Sequence, residues 1–385
     1  MALSVAMVGT RGVPARYGGF ETAVEEVGRR LVDYGHHIRV YCRSGNAENA
    51  REYLGMELVT LPALRSRTLE TLSHTGISAA HLVLHRTDVA FMFNAANAPW
   101  LPLLRAARVP VATHVDGLEW RRSKWGPTGR RYYRAAETAS VRLSDALIAD
   151  AQGISDYYTS EFNAPTTLLT YGAPIIAEAD LRKLREVGVH PRGYHLVVAR
   201  FEPENHVELI VEGYVKSKAT LPLLVVGSAP YADEYTAKIS ALSDGDPRVR
   251  LLGGVWDQDL LDALYAGSMT YLHGHSVGGT NPSLLRAIGA AAPAIAFDVT
   301  FNREVLGVDG VFFAAPSDVA RLVERAESDP DGEVFRGKRL QGRAGDYDWD
   351  VVARGYEQLA LDLAARRAAG PVRRARRLDA GVTVS

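Results

Sequence analysis

Along the chain, short apolar runs alternate with stretches in which apolar residues recur every three or four positions. The runs fall at 3–8, 37–42, 56–61, 88–93, 109–113, 145–149 and 166–170. A second set follows at 194–199, 221–226, 248–252, 268–272, 293–297 and 311–313. Runs of this length without polar alternation predict strands buried on both faces, and the helical stretches between them predict parallel sheets flanked by helices. Two such sets predict two doubly wound α/β domains rather than one barrel. The break lies at 171–193, where YGAPI gives way to a charged stretch, AEADLRKLREVGVHPRG, without a strand pattern. The expected division is an N-terminal domain over 1–171, a linker over 172–193 and a second domain over 194–347. A final helix is expected around Trp349–Ala365, apolar at Val351, Val352, Tyr356, Leu359 and Leu363. A basic, flexible tail is expected over 367–385.

Three loops between these elements carry the candidate chemistry. In HGHSVGGTNPSLLRAIGAAAPAIAF (273–297), the pair Gly278-Gly279 precedes Thr280-Asn281-Pro282-Ser283 and then a helical pattern at Leu284, Leu285 and Ile288. Glycine lets backbone approach a ligand, and proline suits the first helical turn. The free N–H groups of a helix start bind anions, phosphates above all. A purely structural turn would show the same glycines. The N-terminal segment AMVGTRGVPARYGGFETAVEEV reads as strand, glycine loop (Gly9, Gly12, Gly18, Gly19) and an amphipathic helix from Phe20 to Tyr34. Its glycines are too widely spaced for the dinucleotide fingerprint. The third segment, LVVARFEPENH (196–206), ends a strand in Arg200 and runs through Glu202, Pro203, Glu204 and Asn205 into another helix. An arginine just past a strand's carboxyl end lies where open α/β sheets bind ligands, and its planar fork matches phosphate oxygens. The plain alternative is a surface ion pair with Glu202 or Glu204.

These segments resemble the glycosyltransferases of family four, and more narrowly a bacterial rhamnosyltransferase-like branch whose N-terminal domain was once labelled as of unknown function. The residues that carry the likeness are the GTRG–P–YGGFET loop (9–22), VDGLEWRRSKW (115–125), ARFEPEN (199–205), GHSVGGTNPSLL (274–285) and FDVTFNREV (297–305). They keep a consistent order over most of the chain.

The resemblance implies the GT-B fold, with two doubly wound Rossmann-like domains facing a central cleft. The last helix, 348–366, is then expected to cross back to the first domain. It also implies an enzyme that moves a sugar from a nucleotide-diphosphate donor, dTDP- or UDP-linked, to a saccharide or lipid-linked saccharide. No cofactor or metal is expected, and anomeric configuration is retained. Breaking the anomeric bond places negative charge on the diphosphate, which calls for preorganised N–H donors and positive charge. Arg200 and the backbone at Gly279, Thr280 and Asn281 are the candidates, with Gly18 and Gly19 approaching from the opposite domain. Asn205 stands where the wider family has a phosphate-binding lysine, as expected of the narrower branch. Of the two glutamates eight positions apart that the family uses at the donor, Gly278 replaces the first and Arg286 the second. The second glutamate holds ribose hydroxyls, and a donor-only arginine cannot reproduce that recognition. Arg286 is expected about one turn into its helix, reaching back toward the donor loop.

In THVDGLEWRRSKW, Thr113 and His114 close a strand and Asp116 lies just beyond it. Asp116 is the candidate to orient a hydroxyl or accept a proton, with His114 the alternative. Against this, Asp116-Gly117 is a strong turn former, and His114 reads first as an ordinary packed or partly exposed histidine. Trp120 and Trp125 offer an acceptor-side platform or plain packing. They are flanked by Arg121, Arg122, Lys124, Arg130, Arg131 and Arg134, a membrane-surface patch or a solvated helix face. The basic tail divides between solvation and anionic lipid in the same way. Asp257-Gln258-Asp259 imitates a metal motif but opens a helical pattern, where acidic residues cap free N–H groups. His273 and His275 flank the donor loop; they can line a site, but further zinc ligands are missing.

Composition narrows the field. The 385 residues are 47% hydrophobic and 23% charged, enough for two domains. Net charge of −1 gives no electrostatic case for nucleic acid. The single cysteine, Cys42, excludes an internal disulfide and fits a reducing cytosol. MALSVAMVG reads as a first strand rather than a signal peptide, and no run approaches the roughly 20 apolar residues of a bilayer span. A cytoplasmic protein is expected, meeting the inner face of the membrane only peripherally. The main rival is a non-catalytic GT-B homologue serving as a binding or scaffolding subunit, for which Arg286 is the best argument.

Overall fold

The computed structural model describes residues 1–15, 18–45, 50–64, 69–115, 117–122, 125–227 and 233–366. The chain begins β1 (Ser4–Val8), α1 (Gly19–Asp33), β2 (His37–Arg43), β3 (Glu52–Tyr53), β4 (Met56–Leu61), α2 (Glu70–Leu84) and β5 (Val89–Phe93). It continues α3 (Leu101–Ala106), β6 (Val111–His114), α4 (Pro127–Leu143), β7 (Ala146–Ala149), α5 (Gln152–Phe162) and β8 (Thr167–Leu168). A second alternation follows: β9 (His195–Val198), α6 (Val207–Val215), β10 (Leu223–Val226), α7 (Asp233–Asp244), β11 (Val249–Gly253), α8 (Gln258–Gly267) and β12 (Thr270–His273). It closes with α9 (Pro282–Gly289), β13 (Ala294–Phe297), α10 (Thr300–Leu306), β14 (Val311–Phe313), α11 (Pro316–Ser328), α12 (Pro330–Ala344) and α13 (Trp349–Ala364).

Every apolar run became a strand, and the two sets form two separate sheets. The first has the order β3-β4-β2-β1-β5-β6-β7-β8 and the second β11-β10-β9-β12-β13-β14. All pairings are parallel except β3 with β4, a two-residue antiparallel edge that no apolar run announced. The chain divides into a unit of Met1–Tyr171 with Trp349–Ser385, and a unit of Gly172–Asp348. Each unit is a Rossmann-like α/β domain.

Burial explains the strand composition. In the first unit Ala6, Val8, Tyr41, Ala90 and Met92 pack against Ala79 and Leu82 of α2 and Leu101 and Leu104 of α3. In the second, Val197, Val225, Leu272 and Ile295 pack against Ile210, Val211 and Tyr214 of α6 and Val319, Leu322 and Val323 of α11. Each buried Val, Leu, Ile or Met among these contributes about 1.5–3 kcal/mol. Helix α13 belongs to the first unit: Tyr356 is buried edge-on to Phe91 with ring centroids 5.2 Å apart, and Asp350 pairs with Arg30 of α1 at 2.5 Å. The charged stretch before β9 packs onto the second unit. Leu184 is fully buried, the Val187 carbonyl accepts from Arg250 at 2.5 Å, and Lys183 meets Asp257 at 2.6 Å.

Strand order also locates the place where loops diverge. In the second sheet, β9, β10 and β11 run to one side, and the chain then returns to place β12 on the other side of β9. The loops leaving the carboxyl ends of β9 and β12 therefore part at a switch point, the position where open α/β sheets take ligands. The first sheet has its own switch point between β1 and β5.

Candidate functional site

Arg200 leaves β9 on one side of the second unit's switch point, and the glycine loop leaves β12 on the other. The two loops are stitched together. Ser276 donates from both its N–H and its hydroxyl to the Glu204 carbonyl, at 2.9 and 3.0 Å. The His206 imidazole meets the Gly274 carbonyl at 2.8 Å and stacks on Phe297, with centroids 4.0 Å apart. Asn302 adds a third loop, donating to the carbonyls of His275 and Phe297 at 3.0 and 2.9 Å. Gly274 permits this closeness, because a Cβ there would lie 2.0 Å from the Asn205 carbonyl oxygen. Gly278 serves a different need: its φ of 128° is one that side-chain-bearing residues rarely adopt.

The glycine loop delivers the chain into α9 with its N-terminus prepared. Asn281 is the N-cap and accepts the Ser283 N–H at 2.9 Å; Pro282 occupies the first turn, and no acidic residue does. Gly279 and Thr280 are buried within the loop. The result is a helix start whose dipole favours an anion and whose own sequence supplies none.

The remaining donor candidates separate into distinct roles. Arg200 is exposed, with Glu202 at 3.6 Å, a surface ion pair of small strength. Asn205 is buried, and its amide donates to the Arg200 carbonyl at 2.8 Å, so it shapes the loop instead of facing a ligand. Arg286 does not reach back toward the glycine loop; its guanidinium pairs with Asp262 of α8. A carboxylate on the neighbouring helix, 24 positions earlier, is the nearer partner. His273 is 1% exposed, and burial holds it neutral, down to about 3. Asp257 caps α8 by accepting from Asp259 and Leu260 at 2.9 and 3.2 Å, the role its place at the helix start suggested. Among the described residues, no group of three or more potential metal ligands occurs.

In the first unit, the loop after β1 is turned inward on α1. Glu21 accepts the Arg11 N–H at 3.0 Å and Glu25 accepts the Ala15 N–H at 2.6 Å. Gly18 is the N-cap of α1 and Gly19 its first residue. His114, at the end of β6, is packed between Phe20 and Phe93, with centroids 5.0 and 5.6 Å away, and burial lowers it to about 3. An imidazole held there is a poor proton acceptor near neutral pH, so the packed reading of His114 stands over the catalytic one. Asp116 and Lys124 lie outside the described residues.

The tryptophan cluster is only partly an open platform. Trp125 donates to Glu119 at 3.3 Å and Arg122 to the same carboxylate at 2.5 Å, so both buttress the loop from within. Trp120 carries Arg134 over its ring at 4.6 Å and Arg121 at 5.2 Å. Arg121, Arg130, Arg131 and Arg134 are exposed, whereas the one acidic residue of α4, Glu137, is buried.

Comparison with known families agrees with this layout. Residues 18–171 match the glycosyl transferase 4-like domain and residues 192–328 match glycosyl transferases group 1, one on each unit. The chain belongs to the family-four, GT-B glycosyltransferases. It is 25% identical over 217 residues to the O-antigen chain mannosyltransferase B of Escherichia coli, covering 51% of this chain and 56% of that protein. It is 29% identical over 121 residues to the UDP-N-acetylglucosamine–peptide N-acetylglucosaminyltransferase GtfA subunit of Streptococcus gordonii, 30% of this chain and 23% of that one. The glycosyltransferase thus spans about half the length or less of these curated relatives. Sucrose-phosphate synthase from Thermosynechococcus elongatus shares the fold with a TM-score of 0.82 at 17% identity, over 94% of this chain and 99% of that one. Anabaena HepE, solved with UDP, superposes at 0.74 with 17% identity, over 95% and 100%.

Proposed function

We propose that this glycosyltransferase binds a nucleoside diphosphate sugar on its second unit, the diphosphate lying against Arg200 and the N–H groups of Gly279, Thr280 and Asn281. The carrying observation is the stitched pair of loops at the β9/β12 switch point, with an exposed arginine on one and an acid-free helix start on the other. As the bond from the anomeric carbon to the diphosphate oxygen breaks, negative charge grows on the leaving group. Fixed N–H groups, the α9 dipole and the guanidinium stabilise that charge without a metal. The sugar passes with retention to a hydroxyl of a saccharide or lipid-linked saccharide, and Asp116 works on the sugar or the acceptor hydroxyl. HepE, solved with UDP and with UDP-glucose, supports a uridine donor. The branch likeness supports dTDP-rhamnose, and the O-antigen relative supports a surface glycan as acceptor. Calorimetry of the full chain with UDP, dTDP and GDP tests the reading. One of the three binds if it holds; binding of none hands the protein to the scaffold reading.

We extend the proposal to a cytoplasmic protein at the inner face of the membrane, touching anionic lipid through Arg121, Arg130, Arg131 and Arg134. No helix among the described residues is long and apolar enough to cross a membrane. Each basic residue at a lipid surface contributes about 1 kcal/mol. Replacing Arg130, Arg131 and Arg134 by glutamate should abolish cosedimentation with phosphatidylglycerol vesicles; retained binding refutes this surface.

A further inference from the structure

A hydrogen-bond chain from the half-buried Asn281 and Ser283 to the buried Tyr271 and His273 determines which nitrogen of His273 carries the proton. Asn281 Oδ1 accepts the Ser283 N–H, so this atom of the amide is its oxygen, and Ser283 Oγ, 2.7 Å away, must donate to it. Ser283 Oγ has then given its proton and accepts from the Tyr271 hydroxyl at 3.1 Å. The Val198 carbonyl, 3.4 Å from the same hydroxyl, is a second acceptor; with the Tyr271 proton directed to these oxygens, its 3.0 Å contact with His273 Nδ1 is closed by an imidazole N–H. A neutral ring protonated on Nδ1 presents a lone pair at Nε2. Burial keeps the ring neutral, with His273 lowered to about 3. Nε2 is itself buried with no protein partner, at the carboxyl end of β12 immediately before the loop, where the ring stacks on His275 with centroids 4.4 Å apart.

We propose that His273 Nε2 accepts a hydroxyl of the sugar being transferred, and that Tyr271, Ser283 and Asn281 are positioning residues that hold its tautomer. The inference rests on the nucleotide-sugar reading above. A lone pair repels ionised phosphate oxygens, which bring no proton, and takes O–H groups, so this atom discriminates the hydroxyl-bearing part of the donor from its diphosphate. An unpaired buried acceptor is costly, and the chain of four residues is arranged so that only a donating ligand satisfies it.

Two variants test this. In Ser283→Ala the Tyr271 hydroxyl keeps the Val198 carbonyl at 3.4 Å and His273 Nδ1 at 3.0 Å, and its proton turns to the nearer of the two, Nδ1, converting Nε2 from acceptor to N–H donor. Tyr271→Phe removes the partner altogether and mixes the tautomers. Nitrogen-15 spectra should show His273 protonated at Nδ1 in the wild type and at Nε2 in Ser283→Ala. In calorimetry with UDP and UDP-glucose, Tyr271→Phe should bind UDP within about twofold of the wild type and UDP-glucose about tenfold more weakly, the scale of one hydrogen bond. The corresponding dTDP pair replaces these probes if dTDP is the nucleotide bound. An Nε2–H tautomer in the wild type, an equal loss for both ligands, or no loss for either overturns the assignment. If the wild type binds no nucleotide, the underlying reading falls with it. If nucleotide binds and the ratio is unchanged, only the role of His273 falls.

Discussion

The two units build the same switch point and finish it differently. In the first, the loop after β1 gives its N–H groups to the protein itself: Glu21 and Glu25 take those of Arg11 and Ala15. Across that switch point, after β5, Asn97 donates to the Phe93 carbonyl at 2.8 Å, another internal use of a polar group. In the second unit, no carboxylate occupies the first turn of α9, and the loops are tied through carbonyls, an imidazole and an amide. A loop whose donors are met by carboxylates is finished for holding a shape. A loop tied through carbonyls, an imidazole and an amide, beside a helix dipole and an arginine, is the one suited to an anionic ligand. The difference is what supports placing the diphosphate, in the proposal above, on the second unit.

The sharpest way to separate the two roles is Asp116→Asn. Turnover should fall by on the order of 100-fold while nucleotide affinity is unchanged. A variant that turns over normally, or only melts earlier, returns Asp116 to a turn cap. Next in size is Gly274→Ala, whose Cβ would meet the Asn205 carbonyl at 2.0 Å and push the stitched loops apart. Overpacking of this kind costs about 1–3 kcal/mol, and nucleotide binding should weaken in step. Full affinity in a stable Gly274→Ala protein would mean the stitching is incidental.

The units should also respond oppositely to pH. In the first, burial raises Glu137 to about 7, against the hydrogen bond from Tyr157 and the charge of Arg134. Its folded value exceeds the unfolded one, so the folded state binds more protons and stability falls as pH rises from about 4.5 to 7. In the second, burial pushes Glu327 up, but hydrogen bonds from His195, Leu221 and Thr220 outweigh it and bring the carboxyl to about 2. That contribution is present above about 4.5 and is lost as pH falls toward 2. Melting temperature against pH should therefore flatten between 4.5 and 7 in Glu137→Gln, and between 2 and 4.5 in Glu327→Gln. Matching profiles for the two variants would erase the contrast. The smallest effect expected is Asn281→Ala, the loss of a helix cap worth about 1 kcal/mol, read as a lower melting temperature of the second unit.

The fold was legible because buried parallel strands write themselves as unbroken apolar runs. Only β3 escaped, being two residues of a polar antiparallel edge. The glycine turn running into a helix at Pro282, and Arg200 just past the end of β9, were legible for a similar reason, since their signals are local. The side-chain partnerships were not. That Asp262 would claim Arg286, that Asn205 would turn back to the Arg200 carbonyl, and that Ser276 would bind Glu204 from 72 positions away depend on which helices and loops become neighbours. The alternation of apolar residues says nothing about that. Tyr271 and Ser283 were hidden differently: each reads as an ordinary strand or helix residue until the hydrogen-bond chain linking them to His273 is seen.

The central claim is that the second unit's switch point holds the diphosphate, and calorimetry of Arg200→Ala beside the wild type tests it most directly. The side chain is exposed and meets Glu202 at 3.6 Å, a surface pair whose loss should leave the fold intact. Affinity for the bound nucleoside diphosphate should weaken by roughly 1.5–3 kcal/mol, about 10- to 150-fold, the range for a hydrogen bond to a charged group. Equal affinity in a correctly folded Arg200→Ala protein would contradict the account.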